Sequence, residues 1–252
     1  MVSCMASAFL WGLLAASSLV LGGLLASWVP LRKRTLGVIL AFGAGVLLSA
    51  TAYELVFEAV RLAKGSGFPA LGFFGGAATF FLADQLIDRL GDGQANADNA
   101  AGQSTLVVPL VLGATLDGIP ESVVIGLGLV GGGTVSLAML VAVFMSNLPE
   151  AAAATAGMRS SGWSRTKVFL LWAAIALVCA LASAAGYVLL GDLSRFWLSS
   201  VQAFAGGAIL MMLANSMIPE AYEHGGKLAG VFTVLGFAVS VLVIVFEHRG
   251  AG

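Results

Sequence analysis

The chain alternates long apolar runs with short polar breaks, a pattern that predicts a polytopic membrane protein. Eight runs have the length of about 20 residues that a helix needs to cross a bilayer. They predict an all-α protein with a single transmembrane domain over 1–252 and helices at about 5–29, 35–62, 68–90, 105–130, 134–157, 166–190, 197–222 and 228–247. The longest polar segment, 91–104, is rich in Asn, Asp, Gly and Gln and predicts a mobile loop.

The composition supports this class of protein and argues against others. Hydrophobic residues make up 59% of the chain, charged residues 10%, and the mean hydropathy is +0.99. A soluble domain carries about 25% charged residues. The net charge of -1 gives no indication of a nucleic-acid partner. Two cysteines, Cys4 and Cys179, are too few for a disulfide framework.

The distribution of basic residues predicts the orientation in the membrane. Eight predicted spans place both termini on one side, with the connections 1–2, 3–4, 5–6 and 7–8 together on the other. Those four connections carry eight Lys and Arg residues, against four on the opposite side. Because cytoplasmic loops are enriched in Lys and Arg, we expect a multi-pass protein of the plasma (inner) membrane with both termini extracytoplasmic.

Three Pro-Glu pairs lie inside apolar runs: Pro120-Glu121, Pro149-Glu150 and Pro219-Glu220. A carboxylate at the centre of a membrane helix costs about 2.5–3.5 kcal/mol on insertion scales. Proline also removes a backbone hydrogen bond from the same turn. Any one pair is explained by a kink or a packing contact, but three together indicate an internal polar site.

The charge balance around helices 4 and 5 points to a cation. No Lys, Arg or His occurs between Arg89 and Arg159, although this interval contains Asp117, Glu121 and Glu150. Their charge must be neutralised by protons or by an imported cation.

The spacing of the oxygen-bearing residues indicates a shared site. Asp117 and Glu121 are four residues apart and share a helix face, as do Ser146 and Glu150, with Asn147 beside them. The prolines leave the carbonyls of Leu116 and Met145 without a donor. Together these groups predict an oxygen-rich site for a divalent cation.

These motifs resemble the ZIP (zinc/iron permease-like) family of divalent-metal transporters, in its GufA-like prokaryotic branch. The resemblance covers nearly the whole chain, including the segments Glu54–Ala59 and Met217–Ala221. It implies a bundle of eight helices with an inverted repeat, a metal site between helices 4 and 5, and a homodimer. It also implies metal ligation by Asp117, Glu121, Ser146 and Glu150, with Asn147 near a second position.

The sequence departs from the family pattern at several ligand positions. Asp117 replaces the usual histidine of helix 4, Gly118 replaces the following asparagine, and Cys179 aligns with a glutamate of helix 6. These changes predict one metal site rather than two. They also predict a hard-oxygen site that favours manganese, iron or magnesium over zinc, whereas Cys179 would favour softer metals.

Seven further residues are candidates for an entry or release path. They are Glu54, Glu58, Asp84, Asp88, Cys179, Glu220 and His224. Ordinary solvation at helix ends is the alternative explanation for the charged ones.

The leading hypothesis is therefore transport of a divalent metal ion (zinc, iron or manganese) toward the cytoplasm, either passive or coupled to protons. The ion is the substrate, and we expect no cofactor and no enzymatic activity. Two alternatives are a metal sensor or scaffold that has lost transport, and an intramembrane metal-dependent hydrolase. No HExxH motif or nucleophile elbow supports the hydrolase.

Overall fold

A computed structural model describes residues 2–29, 32–101 and 107–250, with backbone only at 2, 91–101, 107–110, 248 and 250. Its long helices are α1 (Val2–Trp28), α2 (Lys33–Leu62), α3 (Phe68–Ala101), α4 (Val107–Leu127), α5 (Leu137–Ser160), α6 (Arg165–Leu190), α7 (Arg195–Gly225) and α8 (Lys227–Gly250). A short 3-10 turn, Val130–Gly132, precedes α5. Every secondary-structure element among the described residues is a helix, which confirms the all-α prediction.

Seven of these helices are long and apolar enough to cross a membrane: all except α4, judged on the described residues. The chain is thus a multi-pass membrane protein, and the eighth span, α4, stays a prediction. The predicted start of the polar loop at Gly91 is wrong, because α3 continues to Ala101. Four alanines and no proline in 91–101 favour continuation of the helix despite the polar composition. Residues 102–104 of that predicted loop lie outside the described residues.

The helices pack as two groups. Helices α1, α4, α5 and α6 form bundle A, in which α1 packs on α5 and α6, and α4 packs on α6. Helices α2, α3, α7 and α8 form bundle B, in which α2 packs on α7 and α8, and α3 packs on α7. Exchanging α1 with α6, α2 with α7, α3 with α8 and α4 with α5 maps these pairs onto one another, as the predicted inverted repeat requires.

Glycines make the close packing within bundle B possible. A Cβ on Gly45 of α2 would lie 1.9 Å from the Thr233 carbonyl oxygen of α8, and one on Gly236 would lie 2.1 Å from that of Phe42. The related pair of helices, α3 and α7, repeats this reciprocal arrangement with Gly76 and Gly207. Backbones approach this closely only where a side chain is absent, so these glycines fix the helix pairs.

Two of the spanning helices contain a π-helical segment. It covers Thr51–Phe57 in α2 and Leu213–Met217 in α7, which are equivalent helices of the repeat. The first turn of the α-helical part that follows each segment contains a glutamate, Glu58 in one and Glu220 in the other. Such segments are frequent at functional sites, because they locally change which side chains face a neighbour.

Short connections give the bundle two faces. Face I carries the connections α1–α2, α5–α6 and α7–α8, and face II carries α2–α3, α4–α5 and α6–α7. Face I has the larger number of Lys and Arg residues and is the predicted cytoplasmic face. The cavities on the two faces extend to different residues, and this difference identifies the candidate site.

Candidate metal centre

Helices α4 and α5 present their acidic side chains to a common interior. Pro120 and Pro149 lie inside these helices without ending them. The Asp117 and Glu150 carboxyl groups lie within hydrogen-bonding reach of each other. Two carboxylates this close repel each other unless a proton or a cation lies between them. The predicted convergence of the two helices is therefore present.

The Asp117–Glu150 pair lines a cavity of about 330 Å³ on the face I side. Asp84 of α3 and Glu220 of α7 line the same cavity, together with Ser216 of the π-helical segment. Among the described residues, its lining thus contains four carboxyl groups and no Lys, Arg or His. Such a cavity attracts cations by its uncompensated acidic side chains and offers them oxygen ligands.

Glu121 occupies a different position from the other two acids. It lies one turn beyond Asp117, is 1% exposed, and is absent from the cavity lining. Its side chain lies beside the buried side chains of Ser146 and Asn147. One of its oxygens, Oε2, has no hydrogen-bond partner among the described residues. Leaving a buried carboxyl oxygen without a hydrogen-bond donor costs free energy. This oxygen would therefore be expected to gain a partner in another conformation of the protein.

The described residues contain no group of three or more His, Cys, Asp or Glu side chains placed to hold one metal ion. The five predicted ligands are thus brought together as a pair, Asp117 with Glu150, and a second cluster around Glu121. Serine, amide and backbone oxygens would have to complete the coordination shell. The Met145 carbonyl oxygen, one of the predicted backbone ligands, packs closely against Gly43 of α2. A Cβ on Gly43 would lie 2.7 Å from this oxygen. That carbonyl faces the backbone of α2.

The predicted path residues divide between the two faces. Asp84 and Glu220 line the face I cavity, and Asp84 pairs with Asn215. His224 accompanies Lys33 and Glu220 in an adjoining cavity of about 410 Å³, with its Nδ1 3.0 Å from the Glu220 carbonyl oxygen. Asp88 is exposed and lies outside the lining of both cavities.

Glu54 and Glu58 belong to face II. They line a separate cavity of about 290 Å³ between α2, α4, α5 and α7. This cavity ends on apolar side chains, including Leu55, Ile125 and Met139, each at most 2% exposed. Asp117, Glu121 and Glu150 are absent from its lining. The polar interior is therefore reached from face I and closed toward face II.

Cys179 is buried and lines none of the cavities described above, although it lies close to Ser122, Glu121 and Glu150. It is 0% exposed and packs against α4, where a Cβ on Gly118 would lie 2.8 Å from its Sγ atom. Its place on the metal path stays a prediction. Gly118, which has no side chain, lets α6 pack directly over this part of α4.

Two features of the site do not follow from the sequence reasoning. Ser216 is not among the predicted site residues, yet it lines the cavity. The charge count presents Lys33 only as a loop cation, yet it lies in the same cavity as Glu220 and His224. The inverted repeat could have indicated Ser216, because Ser216 lies four residues before Glu220 in α7, as Glu54 lies four residues before Glu58 in α2.

Comparison with curated proteins finds zinc transporters. The chain is 25% identical over 242 residues to an Arabidopsis thaliana protein named "Putative zinc transporter At3g08650", covering 94% of this chain and 38% of that protein. It is 26% identical over 160 residues to human zinc transporter ZIP6, covering 59% and 21%. It is 38% identical over 91 residues to human zinc transporter ZIP11, covering 33% and 25%. The chain thus spans only part of each relative, and no family model matches it.

Proposed function

We propose that this chain, whose relatives support its membership of the ZIP family, carries a divalent metal cation across a membrane. The metal would pass through the carboxyl-lined interior between α4 and α5. The predictions of the GufA-like branch and of a homodimer belong to this proposal. The relatives are named transporters rather than enzymes, which supports the prediction of a non-enzymatic role.

The observation that carries the proposal is the Asp117–Glu150 pair at the end of a cavity lined by four carboxyl groups. A cavity with this charge, and with no basic residue among the described residues of its lining, binds cations by electrostatic attraction and oxygen ligation. The interior is reached from face I and closed toward face II. The proposal therefore does not depend on a pore that is open at both ends. This asymmetry is what alternating access requires, with one bundle moving against the other around a central site.

The direction of transport and the membrane follow from the orientation. Face I carries most of the Lys and Arg residues, so we assign it to the cytoplasm of a cell bounded by an inner (plasma) membrane. Glu54 and Glu58, the latter in an ion pair with Arg61, then line the outer entrance, and Asp84, Glu220 and His224 line the release route. Asp88, exposed beside this route, adds negative charge at its cytoplasmic mouth.

Hard oxygen ligands favour manganese and iron over zinc by ligand type. Zinc, which the relatives' names carry, stays among the three candidates. Carboxyl groups that release a metal can take up protons, so coupling to protons is compatible with the site.

The test is metal uptake by purified protein in proteoliposomes. The double variant Glu121→Gln, Glu150→Gln should lose uptake and keep its helical fold, because both changes preserve side-chain shape. Asp192→Asn, an exposed change in the α6–α7 connection, is the control that should retain uptake. Wild-type uptake by the double variant would refute the proposal.

A second candidate is a metal sensor or scaffold of the same fold without transport. It is favoured by the absence of a preformed group of three acidic, His or Cys ligands in the described residues. Metal binding without flux in the same proteoliposomes would support it.

A further inference from the structure

Glu247, near the C-terminal end of α8, contacts the first turn of α5 on face II. One carboxyl oxygen, Oε1, accepts a hydrogen bond of 2.9 Å from the Leu137 amide. The other, Oε2, lies 3.4 Å from both the Ala138 amide nitrogen and the Ser136 hydroxyl. Ser136 in turn accepts from the Met139 amide as the helix cap. The start of α5 is thus satisfied partly by its own cap and partly by a carboxylate from another helix.

This contact joins the two bundles, since α8 belongs to bundle B and α5 to bundle A. Among the other long-range side-chain hydrogen bonds between described residues, four illustrate contacts that stay within a bundle. They are Ser183 to Ala8, Arg165 to Ser27 and Trp172 to Thr155 in bundle A, and Gln202 to Glu54 in bundle B. The hydrogen bonds of Glu247 therefore resist movement of one bundle relative to the other, whereas these four do not.

The contact lies at the closed end of the path. Ser136 and Met139 line the face II cavity, and Met139 forms part of its apolar floor. Beyond this floor, one stripe of α5 continues through Val143 to Ser146 and Glu150, at spacings of three and four residues. Val143 is 1% exposed, so face II is closed by packed side chains at this level. Opening face II would move this part of α5 away from bundle B.

We propose that Glu247 is a latch between α8 and α5 that stabilises the conformation closed at face II and open at face I. The proposal deepens the proposed transport function and rests on it for its physiological meaning. Water at face II can replace the carboxylate as partner of the α5 amides, which makes release possible without unsatisfied amides.

The size of the effect follows from the bonds that would be lost. Hydrogen bonds to a charged group contribute enough to shift an equilibrium by about 10- to 100-fold. If they form only in the conformation closed at face II, the ratio of the two conformations changes by this factor when they are removed. Glu247→Gln keeps an acceptor oxygen but loses the charge, so its effect should be smaller than that of Glu247→Ala.

Cysteine labelling of the protein in detergent or nanodiscs tests the latch without any transport measurement. The background is Cys4→Ser, with the buried Cys179 retained. One reporter is Val143→Cys, closed off from face II. The other is Ala153→Cys, which lines the face I cavities.

Glu247→Ala should raise the labelling rate of Val143→Cys and lower that of Ala153→Cys, so that the ratio of the two rates changes by about tenfold or more. Glu247→Gln should change both in the same directions but less, and Asp192→Ala, exposed on face II, should change neither. No change at either reporter, or faster labelling at both, would overturn the latch, since the second outcome indicates loosening of the fold. Opposite changes at the two reporters in a protein that moves no metal would uphold the latch and refute the transport function.

Discussion

The contact between Gly118 and Cys179 gives a prediction that links packing to the site. We expect Gly118→Ala to push α4 and α6 apart, because its Cβ would lie 2.8 Å from the Cys179 Sγ atom. Favourable contact distances between such atoms begin at about 3.5 Å. The helices must therefore separate by several tenths of an ångström at a position where Cys179 is fully buried.

The expected cost comes from two opposing effects. Overpacking a closely packed interior lowers the free energy of unfolding by about 1–3 kcal/mol. Replacing glycine by alanine inside a helix raises the free energy of unfolding by up to about 1 kcal/mol through helix propensity. The net loss for Gly118→Ala should be about 1–2 kcal/mol. In a Cys179→Ala background the clash is relieved, so the same change should be neutral or stabilising, with a coupling of about 1–2 kcal/mol.

The assay is unfolding of the four proteins of this double-mutant cycle in mixed detergent micelles, followed by circular dichroism. Gly113→Ala is the matched control, because it lies in the same helix and a Cβ added there would meet no atom of a neighbouring described element within 4 Å. It should not destabilise the protein. Additive effects of Gly118→Ala and Cys179→Ala would refute the close contact between α4 and α6. Since Asp117 is the neighbour of Gly118, the single variant should also bind metal more weakly than the wild-type protein.

Three further predictions test packing and metal choice. Trp172→Phe should lower the free energy of unfolding by about 1–3 kcal/mol, because it removes the buried 2.8 Å hydrogen bond to Thr155; an unchanged midpoint in the same assay would contradict it. Gly207→Ala should reduce the yield of folded protein, because its Cβ would lie 2.0 Å from the Phe73 carbonyl oxygen, whereas Gly230→Ala, whose Cβ would meet no neighbouring described element within 4 Å, should not. In competition assays, manganese should inhibit uptake of labelled zinc more strongly than cadmium does, since the cavity offers oxygen ligands; the reverse order would argue against a hard-oxygen site.

The helices and the meeting of α4 with α5 are predictable from local patterns. Apolar runs determine where a chain can cross a bilayer, and a spacing of four residues fixes which acids share a helix face. The same pattern treats Asp117 and Glu121 alike. Only the packing of α1, α3, α5, α6 and α7 around α4 decides that Asp117 lines the cavity while Glu121 is buried.

Contacts between helices far apart in sequence are beyond prediction from a single chain. The alignment of Cys179 with a glutamate places it on the metal path, but its surroundings depend on how closely α6 approaches Gly118. Local patterns present Glu247 only as a charge at the end of the last span. Its role as a partner of the α5 amides depends on the relative height of α8 and α5, which no local pattern specifies.

The inverted repeat relates the two clusters of predicted ligands. Exchange of α4 with α5 matches Asp117 with Ser146 and Glu150 with Glu121, since each helix places Pro-Glu three residues after the first oxygen ligand. The face I cavity, lined by Asp117 and Glu150, therefore corresponds to a face II cavity that would be lined by Ser146 and Glu121. Inverted-repeat transporters reach their second state by exchanging the conformations of the two halves. Glu121, now buried with one oxygen unpartnered among the described residues, is thus the acid that we expect to meet the ion when the protein opens toward face II.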